Sequence, residues 1–188
     1  SDGGRVFTIF IILGGLGVLA YGATNVTAFL VEGELTGILA RRRMEKAISQ
    51  LKDHFVVCGL GKTGRHVIDE LIKTECEFVA VEKDPDKIEE AKSFGTILFV
   101  CGDATKNEIL LQANIENAKG LLTTLPTDTE NLFVVLTARE MNPALRIVSR
   151  VVEDDAEHKL FKVGANAVVS TDFIGGLRMA SELIRPSV

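Results

Sequence analysis

The sequence predicts an α/β protein whose strands form a doubly wound parallel sheet, preceded by one membrane-spanning helix. The stretch from His54 to Glu82, HFVVCGLGKTGRHVIDELIKTECEFVAVE, holds an apolar run, a glycine-rich turn, a helical repeat and a second apolar run. Apolar runs and helical segments keep alternating after it, which is typical of parallel strands joined by helices. Near the start of the chain, residues 6–31 include no charged residue.

The glycine-rich turn follows a short apolar run, Phe55–Cys58, of the kind found in buried parallel strands. Its spacing is G-x-G-x-x-G, as in dinucleotide-binding Rossmann folds. The first glycine permits a tight turn, the second lets a pyrophosphate approach the backbone, and the third lets the helix pack closely. We therefore expect phosphate groups at the N-terminus of the helix that follows. The predicted contact residues are Gly59, Leu60, Gly61, Lys62, Thr63 and Gly64.

An acid ends the second apolar run, where Rossmann folds bind a ribose. Glu82 can accept hydrogen bonds from ribose hydroxyls, and its charge would repel a 2′-phosphate. The sequence therefore favours NAD, ADP, ATP or AMP over NADP, without distinguishing a dinucleotide from a mononucleotide. Lys83, beside this acid, is included in the site. In the expected strand order, 3-2-1-4-5-6, the fourth strand lies next to the first, so Thr124 and Leu125 fall where the second half of a dinucleotide would lie.

The later elements follow from the same alternation. Asp84 and Pro85 have the residue types that cap and begin a helix. The expected elements are a helix over 85–93, a strand over 97–101, a helix over 107–113, a strand over 119–124, a helix over 127–141, a strand over 145–150, a helix over 153–163, a strand over 167–170 and a helix over 175–184.

Composition disfavours several function classes. The net charge is −5 and no basic patch with interleaved aromatic residues is present, so we expect no nucleic-acid partner. Cys58 and Cys101 fall in strands that we expect to be buried, and Cys76 is the cysteine expected to be accessible. No pair has C-x-x-C spacing, which indicates a reduced compartment and no metal. No histidine falls at the expected carboxyl end of the sheet, and we expect a protein that is not an enzyme.

The uncharged stretch over 6–31 has the length of a membrane span. As a helix it would measure roughly 39 Å, at roughly 1.5 Å per residue, whereas the hydrocarbon core of a bilayer is roughly 30 Å thick. The basic run Arg41–Arg43 and Lys46 follow it, which predicts that the rest of the chain is cytoplasmic. Glycines and polar residues within the stretch suit a helix that lines a water-filled path, and equally suit helix–helix packing.

Three segments resemble a known family. GGRVFTIFIILGGLG is similar to the inner, pore-lining helix of potassium channels. VEGELTGILARRRMEKAISQLKDHFVVCGLG looks like the connection in bacterial two-helix potassium channels to a cytoplasmic RCK (TrkA-N) domain, and GDAT at 102–105 resembles that family's motif. The resemblance implies a pore-lining transmembrane helix over 1–31, a linker over 32–53, an RCK N-lobe over 54–174, and a crossover helix over 175–188 that is truncated before a C-lobe.

The resemblance also implies roles for individual residues. Asp103 and Ala104 would contact the adenine and the nearby ribose, and a turn in which Asp103 caps the next helix is the alternative. Gly15 would be the hinge of the pore helix. The selectivity-filter motif T-V-G-Y-G is absent, and Lys62 stands where the family often has arginine.

Calcium-gated members of the family carry carboxylates near the ends of the fourth and fifth strands. The matching positions here are Thr124, Arg150 and Val152, so we expect that calcium site to be absent.

These inferences predict a nucleotide-sensing domain that couples ligand binding to the opening of a potassium channel. The full-length protein would be a homotetramer in the inner membrane, with potassium ions passing through its pore. Its RCK domains would form a cytoplasmic ring. Two alternatives stay open: a membrane-anchored NAD-dependent oxidoreductase, and a structural assembly domain that binds no ligand.

Overall fold

The computed structural model describes residues 2–31 and 34–185, and the chain divides into two compact units, residues 1–43 and 44–188. The first unit holds helix α1 (Asp2–Val31) and the beginning of helix α2 (Glu34–Gln50). Helix α1 runs without a break through Gly15, whose role as a hinge stays a prediction. Among the described residues, no helix is both long enough and apolar enough to cross a membrane, so the spanning helix also stays a prediction.

The second unit is built on a six-stranded parallel sheet in the order β3-β2-β1-β4-β5-β6, which confirms the predicted class and order. Its elements after α2 are β1 (Phe55–Cys58), α3 (Lys62–Lys73), β2 (Phe78–Glu82), α4 (Pro85–Lys92), β3 (Leu98–Cys101), α5 (Asn107–Gln112), β4 (Gly120–Thr123), α6 (Asp128–Met141), β5 (Arg146–Val151), α7 (Glu157–Lys162), β6 (Ala167–Ser170) and α8 (Thr171–Ile184).

Helices cover both faces of this sheet, as the apolar runs require. Neighbouring residues of β1 point to opposite faces, so Val56 belongs to one buried cluster and Val57 to the other. Because both faces are buried, the central strands carry apolar residues without a polar alternation. The helices contribute Ile68 of α3 and Ile88 of α4 on the Val57 side, and Leu110 of α5, Val134 of α6 and Leu160 of α7 on the Val56 side.

Two helices begin later or earlier than the sequence predicts. The acids at the start of the predicted helix over 153–163 form a separate 3-10 turn, Asp154–Ala156, and α7 begins only at Glu157. Helix α8 begins at Thr171 rather than at residue 175, because the Oγ of Ser170 accepts a hydrogen bond from the backbone N–H of Phe173 at 3.4 Å. Pro186, a residue type that stops helices, lies outside the described residues.

The burial of the cysteines corrects one prediction. Cys101 is exposed, because it is the last residue of β3 and β3 is an edge strand. Cys58, in the central strand β1, is buried as predicted, and Cys76 is intermediate. Burial raises the pKa of the Cys58 thiol to about 12.

We expect alkylation at neutral pH to modify Cys101 and to leave Cys58 unmodified in the folded chain. The thiolate is the nucleophile, and Cys58 is both inaccessible and protonated at that pH. Brief treatment with iodoacetamide followed by peptide mass spectrometry measures the two rates. Cys101→Ser is the control and should remove the fastest reaction. Equal rates at the two cysteines would contradict the structure.

The side chain of Asn114 helps to hold the last turn of α2 against the rest of the second unit. The Nδ2 of Asn114 donates hydrogen bonds to the carbonyl oxygens of Ile48, at 3.2 Å, and Leu51, at 3.0 Å. Asn114 itself has a φ of +56°, a left-handed conformation that asparagine tolerates better than most residues. The side chain of Ile48 is buried in the core. Asn114 therefore both turns its own loop and caps the free carbonyl groups of α2.

We expect Asn114→Ala to lower the free energy of unfolding by about 1–3 kcal/mol, because two carbonyl groups lose their donor and alanine disfavours a positive φ. Urea unfolding of the chain, followed by far-UV circular dichroism, measures the change. Asn107→Ala removes an exposed asparagine and is the matched control. Equal stability of the two variants would rule out this role for Asn114.

Candidate functional site

The carboxyl ends of four neighbouring strands bring four residues into one row. Strand pairing places Cys58 opposite Val81 of β2 and Thr123 of β4, and Thr123 opposite Ser149 of β5. The next residue along each strand lies one step closer to the carboxyl edge of the sheet. That row therefore consists of Glu82, Gly59, Thr124 and Arg150.

A cavity of about 330 Å³ opens at this edge, and we call it the carboxyl-edge cavity. Ten of the twelve predicted nucleotide-contact residues line it. The other two are buried: Leu60 is in the core, and Gly64 packs beneath the turn. The ten are Gly59, Gly61, Lys62, Thr63, Glu82, Lys83, Asp103, Ala104, Thr124 and Leu125. Their role in ligand binding stays a prediction.

The three glycines of the turn differ in what surrounds them. Gly59 has a φ of +93°, which favours glycine. A Cβ on Gly64 would lie 1.9 Å from the carbonyl oxygen of Gly59, so α3 packs against the turn only because this residue is glycine. A Cβ on Gly61 would meet no atom within 4 Å, so the backbone there faces open space. The turn therefore has the shape of a phosphate cradle, with α3 beginning at its open side.

The acid predicted to bind ribose also holds the turn together. Glu82 is buried, and its Oε2 accepts a hydrogen bond from the backbone N–H of Leu60 at 2.7 Å. Its Oε1 accepts from the N–H groups of Lys83, at 2.9 Å, and Asp84, at 3.0 Å. A carboxylate has about four acceptor positions, so one remains for a ribose hydroxyl. The sequence did not predict this structural role, because it depends on side-chain length and on the path of the turn.

The GDAT segment forms a tight turn at the end of β3. The Oδ1 of Asp103 accepts hydrogen bonds from the backbone N–H of Thr105, at 3.0 Å, and from its hydroxyl, at 2.7 Å. These bonds lower the pKa of Asp103 below its usual value. Helix α5 begins at Asn107, with Lys106 at the N-cap position, so the alternative in which Asp103 caps that helix is wrong.

Side chains of α6 hold the ends of β4 and β5 in place, and the sequence analysis missed them. Asn131 is fully buried, and its Oδ1 accepts hydrogen bonds from the hydroxyl of Thr123 at 2.7 Å and the N–H of Leu125 at 3.1 Å. Its Nδ2 donates to the carbonyl oxygen of Leu125 at 3.2 Å. The signal that could have found it is a single asparagine on the apolar face of a helix.

Asp128 acts in the same way on the other strand. Its two carboxylate oxygens accept hydrogen bonds from the N–H groups of Val152, at 2.8 Å, and Glu153, at 2.9 Å. The first turns of α6 thus hold the residues that follow β4 and β5 at the edge of the cavity.

Four of the eight charged side chains that line the cavity pair with each other. Lys83 Nζ lies 3.6 Å from Glu130 Oε1, and Arg150 Nη2 lies 3.8 Å from Asp172 Oδ2. The cavity residues that the sequence analysis did not include are Val81, Lys87, Gly102, Pro126, Glu130, Arg150, Thr171 and Asp172. Among the residues that the structure describes, no group of three or more His, Cys, Asp and Glu side chains could hold a metal ion.

We expect Asn131→Ala to lower the free energy of unfolding by about 2 kcal/mol, because the buried hydroxyl of Thr123 and both backbone groups of Leu125 lose a partner. Thermal and urea unfolding measure this loss. Thr129→Ala, an exposed change on the same helix, is the control and should cost much less. A loss no larger than that of the control would contradict the positioning role of Asn131.

Three comparisons with known proteins bear on this fold and site. The family model for the TrkA-N domain matches residues 55–171. The chain is 39% identical to "Probable potassium channel protein 2" of Methanocaldococcus jannaschii over 98% of its own length and 54% of that protein. It therefore spans about half the length of this curated relative.

Two solved structures have the same fold. The TrkA-N domain of inner membrane protein ybaL from Escherichia coli superposes with a TM-score of 0.66 at 28% identity, covering 71% of this chain and 98% of that one. The structure named "GsuK channel bound to NAD" superposes with a TM-score of 0.61 at 24% identity, covering 66% of this chain and 22% of that one. At 24% identity, this second similarity shows that the two chains share a fold.

The six-stranded parallel sheet and the glycine turn after β1 define a Rossmann-like domain. The chain belongs to the TrkA-N domain family. Its resemblance to RCK-containing potassium channels is thereby confirmed, because the relative that matches nearly its whole length is named a potassium channel protein.

Proposed function

We propose that this chain is the nucleotide-sensing part of a potassium channel, in which binding at the carboxyl-edge cavity changes the opening of the pore. The observation that carries the proposal is the open backbone at Gly61, the N-cap of α3, which lines the same cavity as Glu82. The similarity to a named potassium channel protein extends over 98% of the chain and so includes the N-terminal segment.

The ligand that this cavity fits is an adenine nucleotide, such as AMP, ADP, ATP or NAD. Its phosphates would lie at Gly61 and the N-terminus of α3, with Lys62 as a countercharge. Its ribose would bind the remaining acceptor position of Glu82, and Asp103 and Ala104 would lie beside the adenosine. Thr124 contributes shape more than a donor, because its hydroxyl already donates to the carbonyl oxygen of Gly59 at 3.0 Å.

Coupling to the pore would run through the connector helix. Hydrogen bonds from Asn114 hold the end of α2 in the second unit. A conformational change in that unit can therefore move α2, which is the connector helix. The proposed pore helix is the uncharged segment over 6–31, with the sheet unit cytoplasmic and the channel a homotetramer. Nucleotide shifts the gate only if it binds the open and closed arrangements with different affinity. A 100-fold preference would supply about 2.7 kcal/mol per site.

We favour a sensor over an oxidoreductase because the relative that matches 98% of the chain is named a potassium channel protein. Of the three histidines, His54 is fully buried with its Nε2 3.0 Å from the carbonyl oxygen of Ala113, and none lines the cavity. A hydride-transfer enzyme needs a proton donor beside the nicotinamide. Sustained oxidation of NADH with a candidate substrate would refute the sensor proposal.

We expect Gly61→Asp to fold normally and to lose nucleotide binding, because its side chain enters open space where the phosphates would lie and adds a negative charge. Calorimetric titration with AMP, ADP, ATP and NAD compares it with the wild type. Gly176→Asp, which also enters open space but lies outside the cavity, is the matched control and should bind as the wild type does.

If Gly61→Asp bound nucleotide with unchanged affinity, the glycine turn would not be part of the binding site. If no nucleotide bound the wild type, the assembly-domain alternative would be favoured instead. Potassium flux through vesicles that contain the whole channel, with and without nucleotide, tests the coupling. The wild type should respond and Gly61→Asp should not.

A further inference from the structure

Arg150 lines the carboxyl-edge cavity three strands away from Glu82. The two residues are in the same row across the sheet, with Gly59 and Thr124 between them. Neighbouring strands are about 4.8 Å apart, so the backbones of Arg150 and Glu82 are separated by roughly 14 Å. A ligand whose ribose lies at Glu82 and whose first phosphates lie at the glycine turn would extend toward Arg150.

The guanidinium of Arg150 is incompletely paired. Its Nη2 lies 3.8 Å from Asp172 Oδ2, which is an ion pair but too long for a hydrogen bond. Its Nε is buried and has no hydrogen-bond partner among the described residues. The side chain is 22% exposed, so water screens this charge only in part. An anion that accepted two guanidinium hydrogen bonds would therefore be a better partner than Asp172 is.

The other carboxylates in this half of the sheet edge are those of Asp172, beside Arg150, and of Glu130 on α6, and both line the cavity. Glu130 accepts a hydrogen bond from the hydroxyl of Thr127 at 2.8 Å and faces Lys83, so its charge is already matched. Asp172 has Arg150 as its partner. Thr171, which begins the 14-residue helix α8, also lines the cavity. The N-terminus of that helix favours a negative charge as well.

We propose that Arg150 binds the phosphate group of the nucleotide that lies farthest from the adenosine, and that this phosphate replaces Asp172 as its partner. The proposal rests on the proposed function, because it takes the ligand to be an adenine nucleotide. It adds that the site prefers longer phosphate chains, ATP over ADP over AMP. It also predicts that the ion pair between Arg150 of β5 and Asp172 of α8 breaks when the distal phosphate binds.

Calorimetric titration of the 188-residue chain in detergent, in magnesium-free buffer, tests the preference. In Arg150→Gln the Kd of ATP should rise by about tenfold or more, as expected for the loss of a charge-assisted pair of hydrogen bonds. The Kd of AMP should change by less than about twofold, because AMP does not reach Arg150. Arg146→Gln, an exposed arginine at the other end of β5, is the matched control and should change neither value.

Asp172→Asn tests the exchange of partners. Removing the competing carboxylate should tighten ATP binding severalfold in the wild-type background and leave AMP unchanged. In the Arg150→Gln background the same change should have no effect, because the competition acts through Arg150. If Asp172→Asn tightened ATP equally in both backgrounds, direct repulsion would explain it and the exchange would be refuted.

The remaining outcomes separate this proposal from the proposed function. If Arg150→Gln weakened AMP and ATP by the same factor, or left ATP binding unchanged, the role of Arg150 would be wrong while nucleotide sensing stood. If the wild type bound no nucleotide, both would be wrong. Where glutamine prevents folding, Arg150→Lys keeps the charge without the paired donors and should weaken ATP selectively.

Discussion

The tightest packing in the site is between helix α3 and the glycine turn that precedes it. At Gly64 even one methyl group would collide with the carbonyl oxygen of Gly59. This contact aims the N-terminus of α3 at the carboxyl edge of the sheet. It also leaves Gly61 facing open space, so the shape of the cradle and the direction of the helix dipole follow from one packing constraint. The rest of the cavity is arranged around that fixed point.

Side chains from outside the turn then hold the cavity open in one shape. Glu82 receives three backbone N–H groups, one from the turn and two from its own loop. Asn131 and Asp128 hold the ends of β4 and β5 from a single helix. Thr124 ties β4 back to Gly59. Because these bonds are buried or half-buried and directional, the chain's own hydrogen bonds fix the shape of the cavity.

The sheet order and the cradle were predictable because both follow from local patterns. The physical causes of a buried strand and of a glycine turn both lie within a few neighbouring residues, so the sequence pattern is enough to predict them. Asn131 and Asp128 were not predictable in this way, since their partners lie on other elements and pairing depends on how α6 crosses the sheet. The exposure of Cys101 follows from β3 being the edge strand, which the predicted strand order implied although the burial prediction did not use it. The start of α8 depends on a serine cap that looks in the sequence like the end of a strand.

The structural role of Glu82 changes how its substitution should be interpreted. A sequence argument treats the acid as a ribose ligand, so that lost affinity in Glu82→Ala would measure one ligand contact. In the structure, alanine would also release the N–H of Leu60 inside the core, together with two N–H groups of the next loop. Lost affinity would then combine a missing contact with a deformed cradle. Glu82→Gln keeps one acceptor oxygen, but its NH2 group would face either the N–H of Leu60 or those of Lys83 and Asp84, so it restores only part of the support of the turn.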